Sequence, residues 1–333
     1  MSASTHSICY KSRLLVIRLS ALGDVAILQP VLKARAVANP DVLFTIAGPP
    51  LLEPLFRGFD NIHYLPLRKR QPVRHLYRML AGSNPTMVAD MHHVNRTIGV
   101  DLLFCLHRTP VRHIYKDRRG KRQLVRNGSN HTAPLKPTWQ RYDEVFERCG
   151  LAKGIIDTSF WPCKKSQGGG ARIGIAPFAQ HQGKIWPEVH VQQLIALLAD
   201  NPQNTIFLFG GPNESDKLKQ WASPYPNVHS AAAHYTFEQE LQLIASLNVM
   251  VSMDSANMHF ASCLGIPVVS IWGATHPAAG FYGWRQNPCW SLGVDLDCRP
   301  CSVFGDKPCR FGDYRCLQQI SPQQVYQAVL TLI

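Results

Sequence analysis

A chain of 333 residues, 45% hydrophobic and 17% charged, is long enough for two globular cores of roughly 150 residues each. It has no run of 18 apolar residues, which argues against a membrane-spanning helix. The formal charge of +13 is gathered in one region: residues 57 to 141 carry 17 Lys and Arg against four acids, and the rest of the chain is balanced. A one-sided basic region suits an anionic partner, while its plain alternative is a solvated basic face.

Taken in chain order, MSASTHSICYKSR has no apolar core of signal-peptide length, so the cytoplasm is the expected compartment. In that compartment the ten cysteines read as thiols or metal ligands before disulfides. LLVIRL (14–19) reads as a buried strand, 24–38 as a helix, and VLFTIAG (42–48), IHYLPL (62–67) and TMVADM (86–91) as further strands. Helical patterns follow at 94–106 and 138–150. Alternation of strand and helix predicts a parallel sheet with crossovers. The polar, glycine-rich KKSQGGGAR (164–172) is the expected linker. Beyond it the alternation restarts with ARIGIAPF, NTIFLFGG, NVMVSMD and PVVSIWG as strands between helical patterns. ISPQQVYQAVLTLI (320–333) should be a terminal helix with Ser321 at the N-cap and Pro322 at N1. The expected organisation is an N-terminal Rossmann-like domain over 1–163, a linker at 164–171, and a C-terminal Rossmann-like domain over 172–333 with a Cys-rich segment. In such α/β sheets ligands sit beyond the carboxyl ends of the strands, so the loops there are the places to look for chemistry.

Four such loops stand out. Ser20-Ala21-Leu22-Gly23-Asp24 lacks both the G-x-G-x-x-G and the G-K-[ST] phosphate patterns, so Asp24 reads either as a first-turn acid or as a proton acceptor. In IAPFAQHQGKIWP (175–187), Lys184 lies ahead of a helix start that favours an anion; the plain alternative is a solvated loop lysine. GGPNE (210–214) puts Glu214 at a strand end, where it suits ribose hydroxyls. In VSMDSANMHF (251–260), Asp254 and Ser255 open a helix, where Asp254 would cap it or orient the loop; Asn257 and His259 lie in its first turn.

In this order, SALGD, Lys-x-Trp-Pro, GGPNE, and DSANMH with GIPVVSIWGATHP resemble the heptosyltransferases of glycosyltransferase family 9, colinearly from about residue 13 to residue 330. The resemblance implies a GT-B fold, two Rossmann-like doubly wound domains facing across a cleft. It also implies inverting transfer of heptose from ADP-heptose to a lipopolysaccharide inner-core acceptor of Kdo-lipid A type, with no cofactor or metal required. By resemblance, Asp24 matches the catalytic base, Lys184 the lysine on the donor phosphates, and Glu214 the ribose acid. Asp254, Ser255, Ala256 and His259 match the loop around the donor diphosphate and sugar. The chain departs from the family pattern at Ala256 and Asn257, where glycine and proline are common. It departs again at Phe178, often glycine, and at His276, often aspartate, which leaves the donor sugar open between heptose and another nucleotide sugar.

Ser20, Gly23, Asp90, His92, Asn95 and Arg96 are the candidates for facing the acceptor. The basic segment RTPVRHIYKDRRGKRQLVR (108–126) is too polar to insert but suited to docking on an anionic inner-membrane surface, as a peripheral, monomeric protein. A nucleic-acid partner is not expected, because the usual recognition motifs are missing. Cys298, Cys301, Cys309 and Cys316, spaced C-x2-C-x7-C-x6-C, leave a structural zinc site, a reducible disulfide and packed free thiols as alternatives. A non-catalytic double-Rossmann binding protein is the competing reading from outside the enzymes.

Overall fold

The computed structural model describes residues 10–68, 71–163 and 170–333. The chain separates into two compact units. The first comprises 1–116 and 139–156, the second 117–138 and 157–333.

The first unit is built on β1 (Ser12–Ile17), followed by α1 (Leu22–Ala38), β2 (Val42–Gly48), β3 (Ile62–Pro66), α2 (Val73–Ala81), β4 (Met87–Asp90), α3 (Asn95–Leu106) and β5 (Val111–His113). All strand pairs are parallel, in the order β3-β2-β1-β4-β5. β1 is central and Leu14 to Ile17 are buried, which is why this strand reads as a continuous apolar run rather than an alternating one. Leu15 and Ile17 pack with Val88, Leu76, Leu80, Val100 and Phe104 on one side of the sheet. Chain order reverses between β1 and β4, with Ile17 in register with Asp90. The loops leaving these two strands carry Ser20–Asp24 and Met91–Val94, so the acceptor candidates flank a topological switch point.

α4 (Arg118–Asn127) leaves this unit and joins the second; α5 (Thr138–Arg148) returns to the first. The single division expected at 164–171 is corrected in this respect. The ties of 117–138 are local: Lys121 Nζ sits 4.5 Å from the Phe281 ring centre, Leu135 N–H donates to Ala278 O at 2.8 Å, and Thr138 Oγ1 donates to Gly280 O at 2.9 Å. The second half of the basic stretch read for docking is thus helical, from Arg118, with Leu124 as its buried anchor. Residues 164–169 of the expected linker lie outside the described residues.

The second unit runs β6 (Arg172–Ala176), α6 (Glu188–Ala199), β7 (Thr205–Leu208), α7 (Ser215–Ala222), β8 (Val228–Ser230), α8 (Phe237–Ala245), β9 (Val249–Met253), α9 (Ala256–Cys263), β10 (Val268–Ile271), β11 (Ser291–Leu292), α10 (Arg315–Gln318) and α11 (Pro322–Leu330). Its strand order is β11-β10-β9-β6-β7-β8, again all parallel, which repeats the first sheet and adds a sixth strand. The switch point lies between β6 and β9, and the loops there carry Lys184 and Asp254. α11 starts as the sequence predicts: Ser321 Oγ accepts from Gln324 N–H at 3.2 Å, and Gln324 Oε1 accepts from Ser321 N–H at 2.8 Å. Trp186 is 1% exposed and donates its indole N–H to Ile320 O at 3.0 Å, pinning the Lys184 loop to the chain just before α11.

Candidate functional site

In the first unit the turn after β1 is organised by a residue the sequence reading passed over. Arg18 ends the apolar run, is 8% exposed, and forms an ion pair with Asp24. Its other terminal nitrogen donates to Met91 O at 2.7 Å, tying the loop after β1 to the loop after β4. The Arg18 guanidinium also lies 6.0 Å from the Tyr142 ring centre, and Tyr142 Oη donates to Asp24 O at 3.2 Å. The signal was present: a lone arginine at the end of a buried strand needs an anion. Asp24 sits at the third position of α1, where Oδ2 also lies 3.4 Å from Ala21 N as a long first-turn contact. The helix-start role and the ion pair therefore coexist on one carboxylate that is 22% exposed.

Ser20 and His92 come together, with Oγ and Nε2 3.3 Å apart. Burial, then the Arg18 charge, pushes the His92 imidazole down to about 4, so it is neutral at neutral pH. Asp90 lies fully buried behind them; its Oδ1 accepts from the amides of His92 and His93, each at 2.8 Å. Asp90 thus shapes the loop after β4 from below rather than facing outward. Burial, then Asp90, pushes the carboxyl of Asp101 on α3 up to about 8. Asn95 is exposed at the start of α3. Arg96 instead lines a small cavity with Leu19, Leu67, Arg68, Gln71 and Leu76. Gly23 lies in the first turn of α1, half-buried.

In the second unit Lys184 Nζ lies 2.8 Å from Asp254 Oδ2, and Thr275 Oγ1 donates to the same oxygen at 2.8 Å. Of the two roles expected for Asp254, loop orientation is the one its contacts make. Ser255 holds the N-cap position of α9, yet its hydroxyl lies 3.2 Å from Ser252 Oγ and does not cap the helix. The first-turn amides of α9 are therefore left to other acceptors, with Ala256 at the first helical position and His259 buried one turn on. Glu214 folds back on its own loop, where Oε2 accepts from Gly211 N–H. His276 takes over the capping task an aspartate would perform: Nδ1 accepts from Ala278 N–H at 3.1 Å, and burial followed by the Arg299 charge pushes the ring down to about 4.

The Cys-rich tail is built into this site. Cys301 and Ser302 amides donate to Ala274 O at 3.1 and 3.2 Å, and Ala274 N–H donates to Gly183 O at 2.8 Å. Gly305, at φ 75°, lies against the Lys184 stem so closely that a Cβ there would meet Lys184 Cγ at 2.7 Å. Buried Arg299 binds the carbonyls of Trp272, Gly273 and Thr275. Cys298, Cys301, Cys309 and Cys316 line one cavity and are all unbridged. Burial raises the Cys316 thiol to about 11; Cys309 is held below the ordinary value because amides of Phe311, Tyr314, Gly312 and Asp313 outweigh its desolvation. Among the described residues one group of three or more His, Cys, Asp or Glu brings its ligand atoms within 4.8 Å of one another: Asp90, His93 and Asp101, not the tail cysteines.

Residues 157–311, which hold the loops of Lys184, Glu214, Asp254 and His276, match the profile of glycosyltransferase family 9 (heptosyltransferase). That segment is similar to a family 9 heptosyltransferase domain. A lipopolysaccharide heptosyltransferase 1 of Escherichia coli is 31% identical over 114 residues, 34% of this chain and 35% of that protein. The aligned part thus spans about a third of that curated relative. A glycosyl transferase family 9 structure from Veillonella parvula superposes with a TM-score of 0.72 at 17% identity, covering 97% of both chains. The E. coli heptosyltransferase WaaC with ADP-2-deoxy-2-fluoro heptose gives 0.67 at 19% identity, over 96% of this chain and 99% of the other. At these identities the likeness concerns the fold: two parallel-sheet α/β domains of the GT-B type, the family 9 segment forming most of the second.

Proposed function

We propose that this family 9 protein is an inverting glycosyltransferase that moves a heptose from ADP-heptose to a hydroxyl of a lipopolysaccharide inner-core acceptor of Kdo-lipid A type. The observation that carries the reading is the pairing of roles at the two switch points. The first unit presents a half-buried carboxylate held by an arginine, and the second presents a held lysine beside an uncapped helix start. The first suits a proton acceptor and the second suits a diphosphate.

The chemistry follows from those groups. The acceptor hydroxyl loses its proton to the Asp24 carboxylate while its oxygen forms the new bond at the anomeric carbon, and the bond from that carbon to the diphosphate oxygen breaks. Arg18, ion-paired with Asp24, fixes the orientation of its carboxylate. Lys184 spends one N–H on Asp254 and keeps two for phosphate oxygens; with the α9 amides they stabilise the charge growing on the departing ADP. Glu214 takes the ribose hydroxyls. Ala256 supplies an amide but adds a methyl where a phosphate approaches, and Phe178 adds bulk. These two departures favour, as a second reading, a donor other than ADP-heptose.

The basic surface of 108–126 supports attachment to an anionic membrane face, at ~1 kcal/mol per near-surface Lys or Arg. No helix among the described residues is long and apolar enough to cross a membrane. Incubating the protein with Kdo-lipid A and ADP-heptose, in parallel with UDP- and GDP-sugars, and weighing the product by mass spectrometry tests the reading. A heptose increment from ADP-heptose alone is expected; an increment from another donor would move the assignment to the second reading. No increment from any donor would remove it.

A further inference from the structure

We propose that Asp90, His93 and Asp101 form a divalent-cation site in the first unit, which fixes the loop after β4. Asp90 closes β4, His93 follows in the loop, and Asp101 faces them from α3. One ligand atom from each lies within 4.8 Å of the other two. Asp90 is 0% exposed; its Oδ1 is committed to the His92 and His93 amides, while Oδ2 is buried with no hydrogen-bond partner and stands 3.8 Å from His93 Nδ1. Asp101, 9% exposed, likewise buries Oδ1 without a hydrogen-bond partner. Two buried carboxyls aimed at one point repel once both are ionised, so a shared proton or a cation must lie between them, and a cation frees both for ligation.

The His93 ring is preset for ligation: it stacks on His113 of β5 at 4.1 Å and 7° between planes, and its backbone is left-handed at φ 43°. Two carboxylates and one imidazole suit a first-row divalent ion such as Mn2+ or Zn2+, with water completing the shell. The ion would lock the turn whose next residue back, His92, touches Ser20 beside the Asp24 turn. It is a positioning site, argued independently of the proposed reaction.

Mn2+ is the discriminating probe, because it favours carboxylate and imidazole over the thiols of the tail. Chelator-treated full-length protein is titrated with Mn2+, and free ion is followed by its paramagnetic resonance signal. One Mn2+ per chain is expected, with a thermal midpoint that rises on binding. D101N and the half-exposed H93Q, each checked for native circular dichroism, should weaken binding at least roughly tenfold. C298S/C301S should bind as wild type. The site is overturned if no saturable binding occurs up to about 1 mM, meaning the acids share only a proton. It is also overturned if D101N and H93Q bind as wild type, or if binding is lost with the cysteines.

Discussion

Lys184 and Asp254 meet at 2.8 Å, with side chains 15% and 7% exposed, across the β6–β9 switch point of the second sheet. The pair holds the lysine head at the helix start where the donor diphosphate is proposed to bind, and Thr275 holds the aspartate. Removing the lysine therefore has two consequences. K184A should weaken ADP binding by about 10- to 100-fold, the value of one or two charge-assisted hydrogen bonds. It should also destabilise the fold by on the order of 3 kcal/mol, because Asp254 stays buried without its cation. K184A/D254N should recover much of that stability but none of the affinity. Calorimetric titration with ADP and urea unfolding of the three proteins check both effects.

The Lys184 stem in turn rests on Gly305. Alanine there would adopt φ 75° at about 1–2 kcal/mol and press on Lys184 Cγ. G305A should lower donor affinity about tenfold, with native circular dichroism and unchanged Asp24-side behaviour. An affinity equal to wild type would show that the tail does not position the lysine.

Glu214 is assigned by position to the ribose. E214A should weaken ADP binding, and that loss should be smaller when 2′-deoxy-ADP replaces ADP, because one of the two hydroxyl partners is then gone. A loss equal for both nucleotides would show that Glu214 does not act through the 2′-hydroxyl.

Two groups give opposite dependences of stability on pH. His276 has its folded value pushed down to about 4, so its contribution is present above about 6.5 and is lost as pH falls toward 4, at up to about 1.4 kcal/mol per unit. H276N, whose amide oxygen can cap without titrating, should gain on wild type steadily over that window. Burial raises Glu240 to about 7, so its contribution is present below about 4.5 and is lost as pH rises through 7. E240Q should gain on wild type between those values and hold the gain above. Urea midpoints at pH 5, 6, 7 and 8 check both signs.

What was legible in the sequence was whatever rests on period and punctuation. The apolar runs of β1, β6 and β9 and the Ser321-Pro322 start of α11 carry their structure locally. The short strands β5, β8 and β11, of two or three residues, leave no such pattern, and α4 hides in a basic run whose only buried residue is Leu124. The loops holding Asp24, Lys184, Glu214 and Asp254 were legible as loops at strand ends. Arg18 was signalled only as a lone arginine ending a buried strand, without its partner, and Thr275 and Gly305 were not signalled, because their partnerships are made by segments far along the chain. Asp90 shows the limit most plainly. The residue type and place suggested an outward-facing acid, but the strand end buries it and gives it the amides of its own loop.

The central claim is that Asp24 removes the acceptor proton while the donor is held elsewhere. Asparagine preserves shape and can still hydrogen-bond Arg18, so D24N separates the base from the fold better than alanine. Turnover of ADP-heptose with Kdo-lipid A, read by product mass, should fall by about 10²- to 10⁴-fold in D24N, with the ADP dissociation constant within roughly twofold of wild type. Retained turnover, or an affinity for ADP that falls as steeply as turnover, would contradict the assignment.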